Sequence, residues 1–212
     1  MEIILDQIQI GPMKNFQYFI GCPSTGQVAV VDPAWQIDTL LAHAHHHDYI
    51  ITKILLTHGH PDHCDSAAEL AQKTQAPVII SHAEASFYIP ECPNLEAVKN
   101  NQSISIGTID IQCLLTPGHT PGCLCFKCGD ILLTGDTLFI NGCGRTDLPG
   151  GDASALYHSL YHVLLKLPDS TLIYPGHQYG GKDFDTLGNQ KHTNPYLTCR
   201  SEREFLEERM GR

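Results

Sequence analysis

Residues 57–63 read Thr-His-Gly-His-Pro-Asp-His and directly follow an apolar Ile-Leu-Leu run at 54–56. Three histidines and one carboxylate therefore lie within six positions: His58, His60, Asp62 and His63. A buried imidazole or carboxylate costs free energy unless it is hydrogen-bonded, paired or coordinated. A hydrophobic core cannot absorb four such groups together. The residue types and their spacing predict a metal site.

The cluster also constrains the local fold. An apolar strand that ends at residue 56 would deliver these side chains at its carboxyl end, where α/β sheets place their ligands. Apolar residues then recur at helical spacing, at positions 67, 68, 70 and 71. Asp62 and His63 are therefore expected near the start of a helix. An alternative role for Asp62 alone is that of helix N-cap.

Strand and helix patterns alternate along the chain. Strands are predicted at 3–10, 16–20, 27–31, 53–56, 78–80, 109–115, 123–127, 131–134 and 172–174. Helices are predicted at 37–44, after residue 62, at 156–167 and from Ser201, where Glu204 completes a capping box. Turn residues between the first three strands favour antiparallel pairing there. The pattern predicts one layered α/β domain over residues 1–212, with 185–212 as a short C-terminal extension.

Composition argues against several classes of partner. The chain carries 23 acidic and 13 basic residues, a formal net charge of -10. Nucleic acids and anionic membranes are disfavoured, because binding to phosphates depends on clustered lysine and arginine. No run approaches transmembrane length, and no export signal is evident at the N-terminus. Nine scattered cysteines then indicate reduced thiols in a cytoplasmic protein.

Two further clusters have simpler explanations than metal binding. Cys123, Cys125 and Cys128 have no partner pair at zinc-finger spacing. Their alternation along a strand predicts buried thiols that act as small hydrophobes. The histidines at 43 and 45–47 fall on the polar side and end of a predicted helix. Cations are favourable near a helix C-terminus, so this group is expected to be a solvated face.

Three more ligand-type residues follow apolar strands across a glycine: His119, Asp136 and His177. Glycine lets the backbone turn tightly beneath a ligand. Each alone would fit an ordinary turn, but with the 58–63 cluster they make five histidines and two aspartates. That set exceeds the roughly four protein ligands of one zinc ion. Two divalent ions are predicted, with zinc favoured and iron or manganese also suited to imidazole and carboxylate donors.

With these residues in place, the sequence resembles the metallo-β-lactamase superfamily over most of its length. The features that carry the resemblance are the His-x-His-x-Asp-His run and the three downstream residues. The resemblance implies a four-layer αβ/βα sandwich with the site at the edge between two β-sheets. It implies a first metal held by His58, His60 and His119. It implies a second metal held by Asp62, His63 and His177, with Asp136 bridging the two.

Within that superfamily, residues 135–139 and 142–145 resemble the glyoxalase II branch, which hydrolyses hydroxyacylglutathione thioesters. Segments 144–152, 186–188 and 194–195 are similar to short bacterial members that lack a full helical C-terminal domain. The resemblance implies a small-molecule glutathione conjugate as substrate. Arg145 is the candidate anion contact, although a loop-locking salt bridge would explain it equally well. Lys182 is a further candidate substrate contact.

The alternative branch is persulfide dioxygenase, to which residues 142–147, 156–159 and 173–175 are also similar. That resemblance implies a single Fe(II) held by His58, His119 and Asp136, a facial set suited to oxygen chemistry. Residues 137–139 and 176–177 look more like the hydrolases, so hydrolysis is the preferred function. A non-catalytic metal-binding module is a third alternative, which predicts saturated metal and no turnover.

For a hydrolase, the expected mechanism uses two metals that share a water and lower its pKa toward about 7. The resulting hydroxide would attack the thioester carbonyl. Asp62 and Asp136 are the candidate catalytic residues, because they would position both the ions and the nucleophile. The departing thiol has a pKa near 8.5, so its expulsion needs little help from a general acid.

Overall fold

The computed structural model describes residues 2–88 and 91–211. Met1 and Arg212, the ends of the predicted domain, lie outside the described residues. The first half of the chain forms a six-stranded sheet, with the strands in spatial order: β1 (Ile4–Gln9), β2 (Phe16–Cys22), β3 (Gln27–Val31), β4 (Ile50–Leu55), β5 (Val78–Ser81) and β6 (Leu95–Val98). Strands β1 to β3 pair antiparallel, as predicted, and β3 to β6 pair parallel.

The second half forms another six-stranded sheet. Its strands are β7 (Ser103–Ile106), β8 (Ile109–Leu115), β9 (Leu124–Cys128), β10 (Ile131–Gly135), β13 (Leu172–Pro175) and β14 (Asp185–Thr186). Their spatial order is β14-β13-β10-β9-β8-β7, and β10 and β13 are the parallel pair. A small ribbon of β11 (Leu138–Phe139) and β12 (Gly142–Cys143) lies between β10 and β13 in the chain.

Helices cover the outer faces of the two sheets. Four belong to the first half: α1 (Ile37–His46), α2 (Pro61–Cys64), α3 (Ala67–Thr74) and α4 (His82–Phe87). Three belong to the second half: α5 (Ala153–His158), α6 (Leu187–Thr193) and α7 (Glu202–Met210). The helix predicted at 156–167 is irregular, because a π turn at 159–163 and a 3₁₀ turn at 164–166 follow α5.

Three hydrophobic cores hold these layers together. Tyr18 and Ile20 of β2 face the core between the two sheets, whereas Phe19 faces the helices that cover the first sheet. This alternation explains why β2 is an uninterrupted apolar run, since both of its faces are buried. The third core lies between the second sheet and its helices. The resulting order of helices, sheet, sheet and helices confirms the predicted four-layer αβ/βα sandwich.

The C-terminal extension packs on this third core. Helix α7 begins at Ser201, whose hydroxyl accepts a hydrogen bond from the Glu204 backbone N–H. The Glu204 carboxylate accepts from the Arg200 backbone N–H, so the predicted capping box forms with its second bond one residue earlier. Phe205 is fully buried in the third core. Burial of a phenylalanine contributes about 1.5–3 kcal/mol, which fixes the helix on the domain.

The cysteine cluster is buried and the histidine cluster lies at the end of α1, as predicted. Cys125 faces the third core and Cys128 the core between the sheets, and all nine thiols are free. The Nε2 atom of His43 lies 2.9 Å from the Asp6 carboxylate. The histidines at 45–47 are exposed at the end of α1. No helix in residues 2–88 or 91–211 is long and apolar enough to cross a membrane.

Candidate metal centre

Four strand ends deliver the predicted ligands to one edge of the sandwich. The 58–63 cluster follows β4, and single residues follow β8, β10 and β13: His119, Asp136 and His177. The structure brings all seven predicted metal ligands together, in three overlapping groups whose ligand atoms lie within 4.8 Å of one another. The centre therefore lies between the two sheets, at the edge that the sequence predicts.

The first group contains His58, His60 and His119. The Nδ1 atom of His60 lies 3.0 Å from Nε2 of His119. His58 presents Nε2 to the centre, because its Nδ1 lies 3.0 Å from the Thr57 hydroxyl. Three imidazole nitrogens aimed at one point form the donor set that zinc and neighbouring transition metals prefer.

The second group contains Asp62, His63 and His177. The Nε2 atoms of His63 and His177 lie 3.1 Å apart. The Asp62 Oδ2 atom is 3.4 Å from Nε2 of His177 and 3.6 Å from Nε2 of His63. Helix α2 starts at Pro61 and has no side-chain cap, so the alternative N-cap role of Asp62 is wrong. Its carboxylate faces the histidines instead.

Asp136 belongs to the third group, with His58 and His63, and this group overlaps the other two. Its Oδ2 atom is 3.6 Å from Nε2 of His119 and 3.4 Å from Nε2 of His177. Its Oδ1 atom is 3.3 Å from Nε2 of His63. One carboxylate thus faces imidazoles from both groups, which is the position required of a bridging ligand.

Two buried polar atoms of the centre have no hydrogen-bond partner among residues 2–88 and 91–211: Nε2 of His58 and Oδ1 of Asp136. Buried polar atoms are nearly always hydrogen-bonded, because an unpaired one carries its full desolvation cost. Both unpaired atoms face the nitrogen and oxygen atoms that the other candidate ligands present. The residues present therefore fit bound cations at this place.

Backbone and carboxylate acceptors fix which nitrogen three of the imidazoles present. The Nδ1 atom of His119 lies 2.7 Å from the Arg145 carbonyl, and that of His177 lies 2.9 Å from the Met13 carbonyl. The Nδ1 atom of His63 lies 2.9 Å from the carboxylate of Asp32. Such outer contacts hold the ring orientation and leave Nε2 free for a metal.

Asp32 is a functional residue that sequence reasoning missed. It is 3% exposed, and its two oxygens accept hydrogen bonds from the Thr57 backbone N–H and hydroxyl, both at 2.7 Å. The same carboxylate therefore orients His63 directly and holds the hydroxyl that lies against His58. Its only signal in the sequence is an acidic residue directly after the β3 run.

Glu84 is a second missed residue, and it ties two ligand loops together. Its Oε1 atom accepts from the Gly59 backbone N–H at 2.8 Å. Its Oε2 atom accepts from the Thr120 hydroxyl at 2.7 Å and from the Gly122 backbone N–H at 2.8 Å. This buried carboxylate joins the loop that carries His60 to the loop that carries His119.

Two glycines permit the close approach of the ligand loops. A Cβ atom on Gly176 would lie 2.5 Å from Oδ1 of Asp136. Gly135 has φ +48° and a Cβ there would lie 2.5 Å from Oγ1 of Thr57. A larger residue at either position would push a ligand or its support away from the centre.

The imidazole pKa values differ across the centre. Burial lowers the pKa of His58 well below its ordinary value and that of His60 to about 4. Burial acts on His63 in the same direction, but the carboxylates of Asp136 and Asp32 outweigh it and raise the pKa to about 9. Burial alone would raise the pKa of Asp136, yet the charge of His63 keeps it well below its usual range.

For one ion at each ligand group, this difference predicts different responses to pH. Below its pKa of about 9, His63 must release a proton before it can bind a metal, so affinity at the second group should fall about tenfold for each pH unit lost. His60, with a pKa of about 4, stays neutral over the same range. Acidification from about pH 8 to about pH 6 should therefore release one metal equivalent first.

Metal content after dialysis at each pH, measured by plasma mass spectrometry, tests this expectation. A His63→Gln variant is the matched comparison, because it should lack the pH-sensitive equivalent at every pH. Simultaneous loss of both equivalents from the unaltered protein would contradict the assignment.

A cavity of about 380 Å³ opens beside the centre. It is lined by ligands and by apolar, aromatic and basic residues: Met13, Asp62, His119, Asp136, Phe139, Cys143, Arg145, Leu148, His177, Tyr179 and Arg209. Arg145, the candidate anion contact, therefore lies on the wall of this cavity. Lys182 does not line this cavity, and its ammonium group lies 3.2 Å from the Asp185 carboxylate.

Arg145 also makes the salt bridge that was its alternative explanation. Its Nε and Nη2 atoms donate to the two carboxylate oxygens of Asp147, at 2.7 Å and 2.6 Å. The hydrogen bond from Arg145 holds the pKa of Asp147 well below its usual range. Both side chains are more than half exposed, so the pair adds little to stability.

Comparison with known proteins identifies the family. The model of the metallo-beta-lactamase superfamily matches residues 10–109 and 114–177. These two segments contain all seven metal-ligand candidates. The chain belongs to the metallo-beta-lactamase superfamily.

Relatives within the superfamily carry different activities in their names. The chain is 35% identical to the probable polyketide biosynthesis zinc-dependent hydrolase BaeB of Bacillus velezensis, over 91% of this chain and 86% of that protein. It is 38% identical to a hydroxyacylglutathione hydrolase of Polaromonas, over 84% of this chain and 67% of that protein. It is 33% identical to the mitochondrial persulfide dioxygenase ETHE1 of Mus musculus, over 97% of this chain and 80% of that protein.

A solved structure supports the same placement. The crystal structure of ETHE1 from Myxococcus xanthus matches with a TM-score of 0.89 and 35% identity, over 99% of this chain and 92% of that one. Hydrolases and a dioxygenase thus lie at similar distances from this chain.

Proposed function

We propose that this protein is a metal-dependent hydrolase of glutathione thioesters. The observation that carries the proposal is the second ligand group, in which Asp62, His63 and His177 converge beside the first group. A single-iron centre of two histidines and one aspartate needs none of these three residues. Their convergence fits two ions, which is the arrangement suited to hydrolysis.

The residues would hold the ions as the resemblance implies, three in each group with Asp136 between them. When bound, such a pair supplies a water of lowered pKa and a Lewis acid for a carbonyl oxygen. The Asp62 and Asp136 carboxylates each have an oxygen 3.4 Å from Nε2 of His177, where they can accept hydrogen bonds from a water and orient it. These two carboxylates would thereby set the direction of attack.

The cavity beside the centre suits a thioester. Phe139 and Tyr179, whose ring centroids lie 5.4 Å apart, form an aromatic wall next to His177. Tyr179 stacks on the His177 ring at 4.7 Å between centroids. Arg145 and Arg209 supply positive charge on the lining, which matches the carboxylates of glutathione. The leaving group is a thiolate, a weak base because its conjugate thiol has a pKa near 8.5, so the cavity needs no strong general acid.

Persulfide oxidation is the second candidate, favoured by the similarity to persulfide dioxygenase over 97% of this chain. It would use His58, His119 and Asp136 to hold one iron. The Nε2 atom of His119 lies 3.6 Å from Oδ2 of Asp136, and the rings of His58 and His119 are 4.9 Å apart. This candidate leaves the second ligand group without a role in binding metal.

A paired assay on one preparation tests the proposal. Purified protein is analysed for metal identity and number, then supplied with a hydroxyacylglutathione thioester and, separately, with glutathione persulfide in an oxygen electrode. We expect two metal equivalents, release of free thiol and no oxygen uptake. One iron per chain, with oxygen uptake and no thioester cleavage, would establish the second candidate instead.

A further inference from the structure

Two neighbouring cavities meet at a pair of arginines. The cavity of about 380 Å³ contains the metal ligands, and a second of about 490 Å³ is lined by Thr146, Asp147 and Met210 together with the two arginines. Arg145 and Arg209 line both cavities. A ligand that reaches from the metal centre into the second cavity would therefore lie close to both.

The two arginines differ in how their charge is satisfied. Arg145 already makes a two-point ion pair with Asp147. Arg209 makes no ion pair within the described part of the chain. Its Nη1 atom donates to the Tyr196 hydroxyl at 3.3 Å, and its guanidinium carbon lies 5.6 Å from the Tyr196 ring centroid. Its Nε atom is buried and has no hydrogen-bond partner.

The position of Arg209 is fixed by the core. It lies four residues after Phe205, on the same face of α7, and Phe205 is fully buried. The Tyr196 ring contacts both residues, at 6.1 Å from the Phe205 ring and 5.6 Å from the Arg209 guanidinium carbon. The guanidinium is thus held at the cavity wall before any ligand arrives, which lowers the entropic cost of binding.

We propose that Arg209 is a specificity-determining residue that binds a carboxylate on the thiol part of the thioester. The inference rests on the proposed hydrolase function. The acyl carbonyl would lie at the metal centre, and the thiol part would extend through the first cavity into the second. A guanidinium binds a carboxylate through two parallel N–H bonds, and Arg209 lines both cavities through which this part would extend. The C-terminal helix thereby supplies the anion contact.

The test compares Arg209→Gln and Arg209→Lys with Arg203→Gln. Arg203 is the matched control on the same helix, because it is exposed and pairs with Glu207. S-methylglutathione and its dimethyl ester, which lacks free carboxylates, are titrated calorimetrically into each protein. We expect Arg209→Gln to weaken S-methylglutathione binding about tenfold or more, with ester binding unchanged. Arg209→Lys should retain part of the affinity, because the lysine ammonium keeps the positive charge but cannot donate two parallel N–H bonds to one carboxylate.

Kinetics supply an independent readout. For a glutathione thioester, Arg209→Gln should raise KM by a similar factor and leave kcat nearly unchanged. For the same acyl group on N-acetylcysteamine, which has no carboxylate, both constants should match those of the unaltered protein. Thermal unfolding should change little, since the guanidinium makes one side-chain hydrogen bond, to the Tyr196 hydroxyl, and metal content should match.

The outcomes separate this inference from the function on which it rests. Equal binding of S-methylglutathione by Arg209→Gln and the unaltered protein would overturn the role of Arg209, even if thioesters are cleaved. Equal losses for the ester would also overturn it, because the effect would not come from a carboxylate. Cleavage of no thioester, with an Arg209-dependent affinity for S-methylglutathione, would refute the hydrolase function and leave the anion site standing.

Discussion

Replacement of Asp62 by alanine is expected to remove one of two metal equivalents and to lower thioester turnover by more than about 100-fold. Residues that merely support a metal ligand already cost about 10–100-fold when they are changed, so loss of a ligand should cost more. The Asp62 carboxylate is the only anionic member of the second group besides the shared Asp136. Without it, the second group keeps the imidazoles of His63 and His177 and loses the negative charge that balances a bound cation.

Two variants make this result specific. Asp62→Asn keeps the shape and can still accept the hydrogen bond from Asn15, which lies 3.2 Å from Oδ2, yet it should show nearly the same losses because the charge is gone. Asp65→Ala removes an exposed carboxylate at the end of the same short helix and should change neither quantity. Unchanged metal content and turnover in Asp62→Ala would remove the second ligand group from the mechanism.

The second large effect is expected at Glu84. In Glu84→Ala, three buried donors lose their acceptor: the backbone N–H groups of Gly59 and Gly122 and the Thr120 hydroxyl. Each unsatisfied buried donor costs about 1–3 kcal/mol, so unfolding of the metal-free protein should become at least about 3 kcal/mol easier. The loops that carry His60 and His119 should also separate, which should weaken metal binding.

Urea denaturation of metal-free protein measures the first effect, and competition with a coloured chelator measures the second. Glu84→Gln should be less damaged, because its carbonyl oxygen can still accept from one of the loops. Glu69→Gln is the surface control, since Glu69 pairs only with the exposed Lys73 and should change stability by less than about 0.5 kcal/mol. Equal stability of Glu84→Ala and Glu69→Gln would show that this carboxylate does not anchor the loops.

The sequence predicted that the seven candidate ligands converge because each lies shortly after an apolar strand. His58 to His63 form a single local pattern, and His119, Asp136 and His177 each follow a glycine that lies at a strand end or within three residues beyond it. Strand ends meet at one edge of a layered α/β fold, so sequence spacing alone was enough to bring them together. The assignment of ligands to each ion remains a prediction.

The supporting residues could not be predicted in this way. Glu84 occupies the first turn of α4, where an acidic residue is common for reasons of helix capping. Its role depends on the approach of two loops from different sheets. Arg209 resembles any charged residue near a helix end, and it faces the cavity only because Phe205 docks α7 on the third core. Such roles arise from tertiary packing.

The fold shows the same division. Long apolar runs such as β2 and β8 were predicted with nearly correct bounds, because burial on one or both faces imposes a clear pattern. The short strands β6, β7, β11, β12 and β14 and the helices α4 and α6 were missed. Each has seven residues or fewer, so its packing against a neighbour decides its structure.

The central claim is that two ions act together in thioester hydrolysis. The most direct measurement is hydrolysis of a hydroxyacylglutathione thioester by metal-free protein as zinc is added in known amounts. The two-ion account predicts low activity up to one equivalent and a steep rise that ends at two, with the rise absent in Asp62→Ala. Full activity at one equivalent, or activity restored only by iron together with oxygen uptake, would contradict it.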